Sequence, residues 1–234
     1  ASLDVSIAAG ECVVLQDLNN HILNDLIELL SGREKPGTGT LRVGGRPYRP
    51  SLKREVAIIQ QQPAQTMLFP DLSYMDNLCF TMDHRLPTIW RRRAAQAGVR
   101  RELEGVLADG VFDCPVEALT KPEKYELIYT RVLLQHPRVA VCVQPFMGAD
   151  VQQRMQIWSL IERLLKKGVS VLILAVNLAD SLSLADRLVR VRDGRVQEVI
   201  AREDFSSLPP SAPWHDFWTN AEETPASGGG TCAE

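Results

Sequence analysis

The chain has 234 residues, 45% hydrophobic and 24% charged, with a formal net charge of −3 at pH 7. Its length and composition predict a globular protein with one large domain or two closely joined lobes. The slightly acidic balance argues against nucleic acid as the main partner. No apolar run approaches the roughly 20 residues of a membrane-spanning helix, so direct membrane insertion is not expected.

In the first third of the chain, apolar patterns predict strands, one helix and one hairpin. The helix follows from apolar residues at helical spacing between Ile22 and Leu30, and Gly32 is expected to end it. Gly44-Gly45 predicts a hairpin turn. Strands are predicted over residues 3–7, 12–15, 40–43 and 56–59.

The middle of the chain, residues 75–135, lacks strand patterns and predicts an inserted group of helices. Strands and helices then alternate, and Asp193-Gly194 predicts a second hairpin. We expect strands over residues 139–143, 169–174, 188–191 and 195–199, and helices over 151–167 and 178–185. This order predicts an α/β protein with a mostly parallel sheet covered on both faces and an antiparallel edge. Residues 221–234, rich in Gly, Ser, Thr, Ala and Glu, predict a disordered tail.

The five cysteines are scattered without a C-x-x-C pair, which favours a reducing compartment and predicts neither a disulfide framework nor a metal site. They are Cys12, Cys79, Cys114, Cys142 and Cys232.

Several ordered strings resemble the ATP-binding-cassette (ABC) subunits of ABC transporters from residue 3 to about residue 199. The most similar type is the degenerate second cassette of double-cassette sugar importers of the ribose/galactose kind. The strings are Ala9-Gly10-Glu11, Leu30-Ser31-Gly32, Leu68-Phe69-Pro70-Asp71-Leu72-Ser73 and Ala185-Asp186-Arg187-Leu188-Val189. The resemblance implies a P-loop-NTPase-like fold in one cassette over residues 1–220. Its α/β core would comprise residues 1–72 and 138–200, and its helical subdomain residues 73–137.

The family's phosphate-binding loop aligns with residues 17–24, where both glycines, the lysine and the metal-binding hydroxyl are replaced. Glycines let backbone N–H groups approach phosphates, and the lysine contacts the β/γ oxygens. An alternative is a plain strand-turn-helix with Asn20 as the helix N-cap. The degenerate positions are Asp17, Asn19, Asn20, Ile22, Leu23 and Asn24.

The family's two carboxylate positions at the end of the strand predicted over residues 139–143 hold Val143 and Gln144. Valine cannot hold Mg²⁺ through water, and a glutamine amide cannot accept a proton from an attacking water. The switch position falls at Val176 or Asn177, neither of which is a proton acceptor. The sequence therefore predicts no catalytic residue and no cofactor, with ATP and Mg²⁺ expected only in a divergent ATPase.

Three further loops match family positions that face partners. The signature loop reads Thr120-Lys121-Pro122-Glu123, where Thr120 and Glu123 form a capping-box pattern and Pro122 has no N–H for a phosphate. Asp150 is predicted to cap the following helix or to lie at an interface. Gln61 is either a coupling residue or part of a solvated loop, and the run of three glutamines leaves its register open.

The string containing Leu68, Phe69 and Pro70 predicts an apolar docking surface for a permease, with core packing of Leu68 and Phe69 as the alternative. The resemblance implies two partners, an intact cassette (fused or separate) and a transmembrane permease, at the cytoplasmic face of the cell membrane. The leading hypothesis is therefore a catalytically degenerate cassette that is the structural partner of an intact one. Two alternatives stay open, a divergent ATPase and a stand-alone regulatory or interaction module on the same fold.

Overall fold

A six-stranded sheet forms the centre of the protein, in a computed structural model that describes residues 3–17, 22–49, 55–80, 89–103, 110–178 and 180–208. The strands lie in the order β4-β5-β6-β1-β7-β8. Five of them run parallel, and β8 pairs antiparallel with β7 at the edge. Their bounds are β1 Cys12–Asp17, β4 Val56–Ile59, β5 Val139–Val143, β6 Ser170–Ala175, β7 Arg187–Arg192 and β8 Arg195–Ala201. The short strands β2 (Arg42–Val43) and β3 (Arg46–Pro47) form a separate hairpin.

Six α-helices are found in the described residues: α1 Leu23–Ser31, α2 Pro63–Thr66, α3 Tyr74–Cys79, α4 Ile89–Glu102, α5 Lys121–Leu134 and α6 Val151–Lys166. Three 3-10 helices cover Val111–Asp113, Val116–Ala118 and Arg202–Ser207. Gly32 ends α1 at a φ of 76°, as predicted. The β7–β8 turn places Asp193 and Gly194 at positive φ, as a hairpin of type I′ requires.

Apolar residues alternate between the two faces of the sheet because successive side chains of a strand point in opposite directions. On one face, Val14 and Cys142 join the buried residues of α5 and α6, such as Tyr129 and Ile161, in what we call the α5/α6 cluster. On the other face, the α1 cluster comprises the buried residues Val13, Leu15, Ile22, Leu23, Leu30, Val43, Val56, Val141, Val143, Leu172, Leu174, Val189 and Val191. Both faces are therefore covered, as the apolar strands predicted.

A third buried group, the helical cluster, joins α3, α4 and α5 through residues such as Leu78, Val99 and Leu127. Helix α5 also contributes Ile128 and Tyr129 to the α5/α6 cluster, so it links the helical part to the sheet. The described residues between α3 and α5 contain no strand, in agreement with a helical insertion. The limits of the predicted subdomain, residues 73–137, stay a prediction.

Two predicted elements are wrong. Residues 3–7 form no strand, although Leu3, Val5 and Ile7 pack against the α1 cluster while the residues between them are exposed. The alternation of apolar and exposed residues in this segment results from this packing and not from hydrogen bonding to a neighbouring strand. Residues 178–185, described except for residue 179, form turns in place of a helix. The bonds from Ser181 to Leu178 and from Leu184 to Ser181 span three residues. A single bond in the described part of this segment, from Leu182 to Leu178, spans four, and Asp186 separates buried Ala185 from β7. The predicted tail, 221–234, lies outside the described residues.

None of the described helices combines the length and apolar character needed to cross a membrane. The described residues likewise hold no group of three or more His, Cys, Asp or Glu side chains placed to bind a metal ion.

Asn77 on α3 offers a stability test, because its fully buried amide holds the preceding loop. Its Oδ1 accepts from the Phe69 N–H at 2.9 Å, and its Nδ2 donates to the carbonyls of Phe69 and Ser73 at 3.0 and 3.1 Å. We expect Asn77→Ala to lower the free energy of unfolding in urea by about 2–4 kcal/mol, since it leaves buried polar groups without partners.

Asn24→Ala is the matched control, because Asn24 is an exposed helical asparagine. That substitution should change the free energy of unfolding by less than about 1 kcal/mol. Equal losses in the two variants would contradict the role assigned to Asn77.

Candidate functional site

The start of α1 is held by a carboxylate from the end of β1. Asp17 is fully buried, and its Oδ2 accepts a hydrogen bond from the Ile22 N–H at 2.7 Å. The N-cap residue itself, Ile22, has no side-chain acceptor. The predicted cap, Asn20, lies with Asn19 outside the described residues. The sequence signalled the negative charge of Asp17 at this loop but not its capping contact.

The lysine position of the phosphate loop is filled by an inward-facing apolar side chain. Leu23 is 2% exposed and belongs to the α1 cluster together with Ile22. Val143, at the predicted Mg²⁺-ligand position, is buried in that same cluster. Asn24, at the hydroxyl position, is exposed. The structure thus brings three degenerate positions into one apolar cluster beside a buried carboxylate.

Gln144 follows β5 in a left-handed conformation, with φ at 43°. Its N–H donates to the Leu174 carbonyl at 2.8 Å, which extends the pairing of β5 with β6 by one bond. The side chain is half-buried, and its neutral amide has no basic site for a proton. Val176, which follows β6, is exposed and offers only its carbonyl, which accepts from the Gln16 amide at 3.2 Å. Neither predicted catalytic position carries an acid or a base.

The strongly shifted pKa values of the described residues belong to buried groups of the core and not to this site. Burial raises the pKa of Cys12 to about 12, with Asp186 as a lesser cause. Burial also lowers the pKa of Arg131 to about 10, and its guanidinium donates to the Met67 carbonyl at 2.7 Å. A perturbed pKa is typical of a catalytic acid or base, and these groups face the core instead.

The loop after β4 contacts the loop after β5. Gln61 is half-buried and its amide contacts the Met147 sulfur, while the next residue, Gln62, has a φ of 48° before α2 begins at Pro63. The two loops that follow these neighbouring parallel strands therefore meet at the same edge of the sheet. The coupling role of Gln61 stays a prediction.

Leu68 and Phe69 have different environments. Leu68 is half-buried and packs against both the α5/α6 cluster and the helical cluster. Phe69 is 40% exposed and packs against Phe80, itself 48% exposed, with ring centroids 4.3 Å apart and the ring planes tilted by 44°. Pro70 is exposed as well. Core packing thus describes Leu68 in part, whereas Phe69 and Phe80 form an exposed aromatic pair.

The start of α5 carries the predicted capping box. The Thr120 N–H and hydroxyl both donate to Glu123 Oε2 at 2.7 Å. These bonds, the side-chain one first, lower the pKa of Glu123. Lys121 and Pro122 are exposed, and the Pro122 carbonyl accepts from Gln156 on α6 at 2.8 Å. The start of α5 is thus capped by groups of the chain itself.

Asp150 caps α6, as one of its two predicted roles requires. Its Oδ1 accepts from the Gln153 N–H at 2.8 Å, while the residue as a whole is exposed. Whether it also lies at an interface stays a prediction.

No family model matches the chain. In sequence, it is 29% identical over 217 residues to the ribose import ATP-binding protein RbsA 2 of Rubrobacter xylanophilus, covering 87% of this chain and 41% of that protein. It is 26% identical over 210 residues to the spermidine/putrescine import ATP-binding protein PotA of Mesoplasma florum, covering 88% of this chain and 58% of that protein. A third relative is the aliphatic sulfonates import ATP-binding protein SsuB 2 of Pseudomonas fluorescens, with 28% identity over 83% of this chain and 68% of that protein. The chain thus spans roughly half the length of the first two.

Among solved structures, cbiO1 from Clostridium perfringens, part of the ABC transporter complex cbiONQ, aligns with a TM-score of 0.73 at 17% identity. The alignment covers 95% of this chain and 87% of that one. The dimeric ATP-binding cassette MJ0796, bound to ADP and Pi, aligns with a TM-score of 0.64 at 16% identity, over 85% of this chain and 88% of that one. The protein therefore has the mostly parallel α/β fold of ABC ATPases. The relatives together support the ATP-binding subunit family of ABC transporters.

The apolar environment of Leu23 is tested by restoring the family's lysine. We expect Leu23→Lys to lower the free energy of unfolding by about 3 kcal/mol or more at pH 7, because burial opposes the charged ammonium. Burial would hold the lysine pKa of the folded variant below its unfolded value of about 10.4. The folded state would then bind fewer protons, so the loss should grow as the pH falls below about 10.

Leu23→Met is the control, because it conserves volume and should cost less than about 1.5 kcal/mol. Urea unfolding at pH 7 and pH 9.5 provides the measurement. A lysine variant as stable as the wild type at both values would show that this side chain reaches solvent, contrary to the packing described.

Proposed function

We propose that this chain is a catalytically degenerate ABC cassette that acts as the structural and coupling partner of an intact cassette in an importer. The observation that supports the proposal is the packing of Leu23 and Val143 in the α1 cluster, together with the Asp17 carboxylate that accepts from the Ile22 N–H before α1. The fold of an ABC ATPase is retained while the groups that would hold and hydrolyse a nucleotide are replaced.

Phosphoryl transfer needs positioning and electrostatic stabilisation, which a lysine, a metal ion and a polarised water provide. Here the lysine position holds a buried leucine, and the metal and base positions hold Val143 and Gln144. The buried carboxylate of Asp17 would also repel a phosphate. These substitutions act in the same direction, because each removes a group needed to bind or hydrolyse the nucleotide or adds a charge that opposes a phosphate.

A chain without these groups needs a partner that has them if it is to work in an ATP-driven importer. The dimeric cassette MJ0796 supports an arrangement in which two such folds face each other. The capped loops at Thr120 and Asp150 would then lie at the interface with an intact cassette, fused or separate. The permease partner and the location at the cytoplasmic membrane face follow from the same role.

A sugar is the substrate class we propose for that importer, because the motif strings resemble ribose/galactose-type cassettes and one relative is a ribose import protein. Other relatives are named for spermidine/putrescine and aliphatic sulfonates, so the proposal rests on the strings together with that relative. The divergent-ATPase alternative would need micromolar affinity for Mg-ATP, and the regulatory-module alternative would need neither a permease nor an intact cassette.

Nucleotide affinity distinguishes the degenerate-cassette proposal from the divergent-ATPase alternative. We expect calorimetric titration of the full chain with Mg-ATP to show no binding in the micromolar range, since each lost charged hydrogen bond removes about 1.5–3 kcal/mol. An intact ABC cassette, titrated in the same buffer, is the positive control. A low-micromolar dissociation constant for this chain would refute the degenerate-cassette proposal and favour the divergent ATPase.

The exposed aromatic pair gives the test of permease binding. We expect Phe69→Asp to abolish co-purification with the permease encoded in the same gene neighbourhood, because a carboxylate would disrupt an apolar contact. Thermal unfolding of the isolated variant should stay close to that of the wild type, since Phe69 is partly exposed.

Val199→Asp is the matched control, because Val199 is a 52% exposed apolar residue on the edge strand β8. The Val199→Asp variant should still co-purify with the permease. If folded Phe69→Asp also retains it, the docking assignment is wrong. If Phe69→Asp unfolds, Phe69 belongs to the core.

A further inference from the structure

We propose that the Asp17 carboxylate is a permanent internal substitute for a nucleotide phosphate, which holds the start of α1 in place without any ligand. This inference goes beyond the loss of catalysis, because it assigns a structural role to Asp17, the residue that replaces the first glycine of the loop. It rests on the proposed function only in taking this loop as a former phosphate site.

The start of a helix has N–H groups without intrahelical partners and carries the positive end of the helix dipole, so it favours an anion. In this chain the residue before α1, Ile22, is 6% exposed and has a side chain that accepts no hydrogen bond. Without another acceptor its N–H would be buried and unsatisfied, which is costly. Asp17 Oδ2 provides that acceptor at 2.7 Å.

The acceptor comes from a rigid part of the sheet. Asp17 is the last residue of β1, its backbone is in register with Val191 of β7, and it is fully buried. An ordinary N-cap residue stands at the helix end itself, whereas this carboxylate lies five residues earlier in the chain. The contact thus joins the end of β1 to the start of α1, and we expect it to hold the helix start without any ligand.

The packing around the start of α1 agrees with the proposed role of the Asp17 carboxylate. Leu23, which follows Ile22 in the chain, packs in the α1 cluster together with Val143. With the carboxylate present, the helix start has its anion, and the apolar cluster needs no charged ligand to complete it. An external phosphate would have to approach this buried carboxylate, which is electrostatically unfavourable.

Chemical rescue tests this inference without using a nucleotide. In Asp17→Ala, formate can supply the missing carboxylate beside the alanine methyl group. Thermal unfolding of the full chain is measured in sodium formate and in sodium chloride at equal ionic strength. We expect Asp17→Ala to unfold about 4–12 °C below the wild type in chloride, and formate to restore at least about 2 °C of that loss.

Asp25→Ala is the matched control, because Asp25 is an exposed aspartate in the first turn of the same helix. It should lose about 3 °C or less, and formate should change its midpoint no more than that of the wild type. An equal effect of formate on both variants, or an Asp17→Ala protein as stable as the wild type, would overturn the proposal.

Amide hydrogen exchange on the wild type covers the case in which Asp17→Ala does not fold. The Ile22 amide should exchange as slowly as the Leu26 amide, which donates to the Ile22 carbonyl within the same helix start. Exchange at the rate of an exposed amide would refute the inference. Protection of Ile22 together with micromolar Mg-ATP binding would instead refute the proposed function and leave the carboxylate contact intact.

Discussion

The packing of α1 against the sheet through Leu23 is the constraint on which the rest of this site depends. In the α1 cluster, Leu23 and Val143 fill the space between the helix start and the carboxyl ends of the strands. Because protein interiors are close-packed, a charged lysine in place of Leu23 would have to be accommodated among these aliphatic side chains, which is unfavourable. The buried Asp17 carboxylate is compatible with the fold, since it accepts a hydrogen bond from the Ile22 N–H.

The loops that we propose to face partners each contain a hydrogen bond of their own. Glu123 accepts two bonds from Thr120, Asp150 accepts the Gln153 N–H, and Asn77 holds the backbone of the loop that carries Phe69. Each bond joins residues that are close in sequence, so each loop keeps its shape without a nucleotide. In the proposed role this matters, because a cassette that binds no ATP must present its docking surfaces without help from a ligand.

Much of the fold could be predicted because its signals are local. Apolar runs gave β1, β5 and β6, the pair Thr120 and Glu123 gave a capping box, and Asp193-Gly194 gave a hairpin, all of which the structure contains. Residues 3–7 were wrongly predicted as a strand, because alternating burial is produced by packing on a core as well as by pairing with a neighbouring strand. The bond from Asp17 to Ile22 could not be read from the sequence, since it depends on where the end of β1 lies relative to the start of α1.

Polar contacts connect the loops after the strands to α5 and α6, which in the proposed role would allow motion to be transmitted without hydrolysis. Gln61, after β4, contacts Met147, after β5, and Arg131 of α5 donates to the Met67 carbonyl beside the aromatic pair. Helix α5 in turn carries Glu126, which pairs with Arg163 of α6. These contacts link the loop that carries Phe69 to α5, and α5 to the C-terminal part of α6. Coupling of this kind requires rigid packed elements and two docking surfaces, and neither requirement involves hydrolysis.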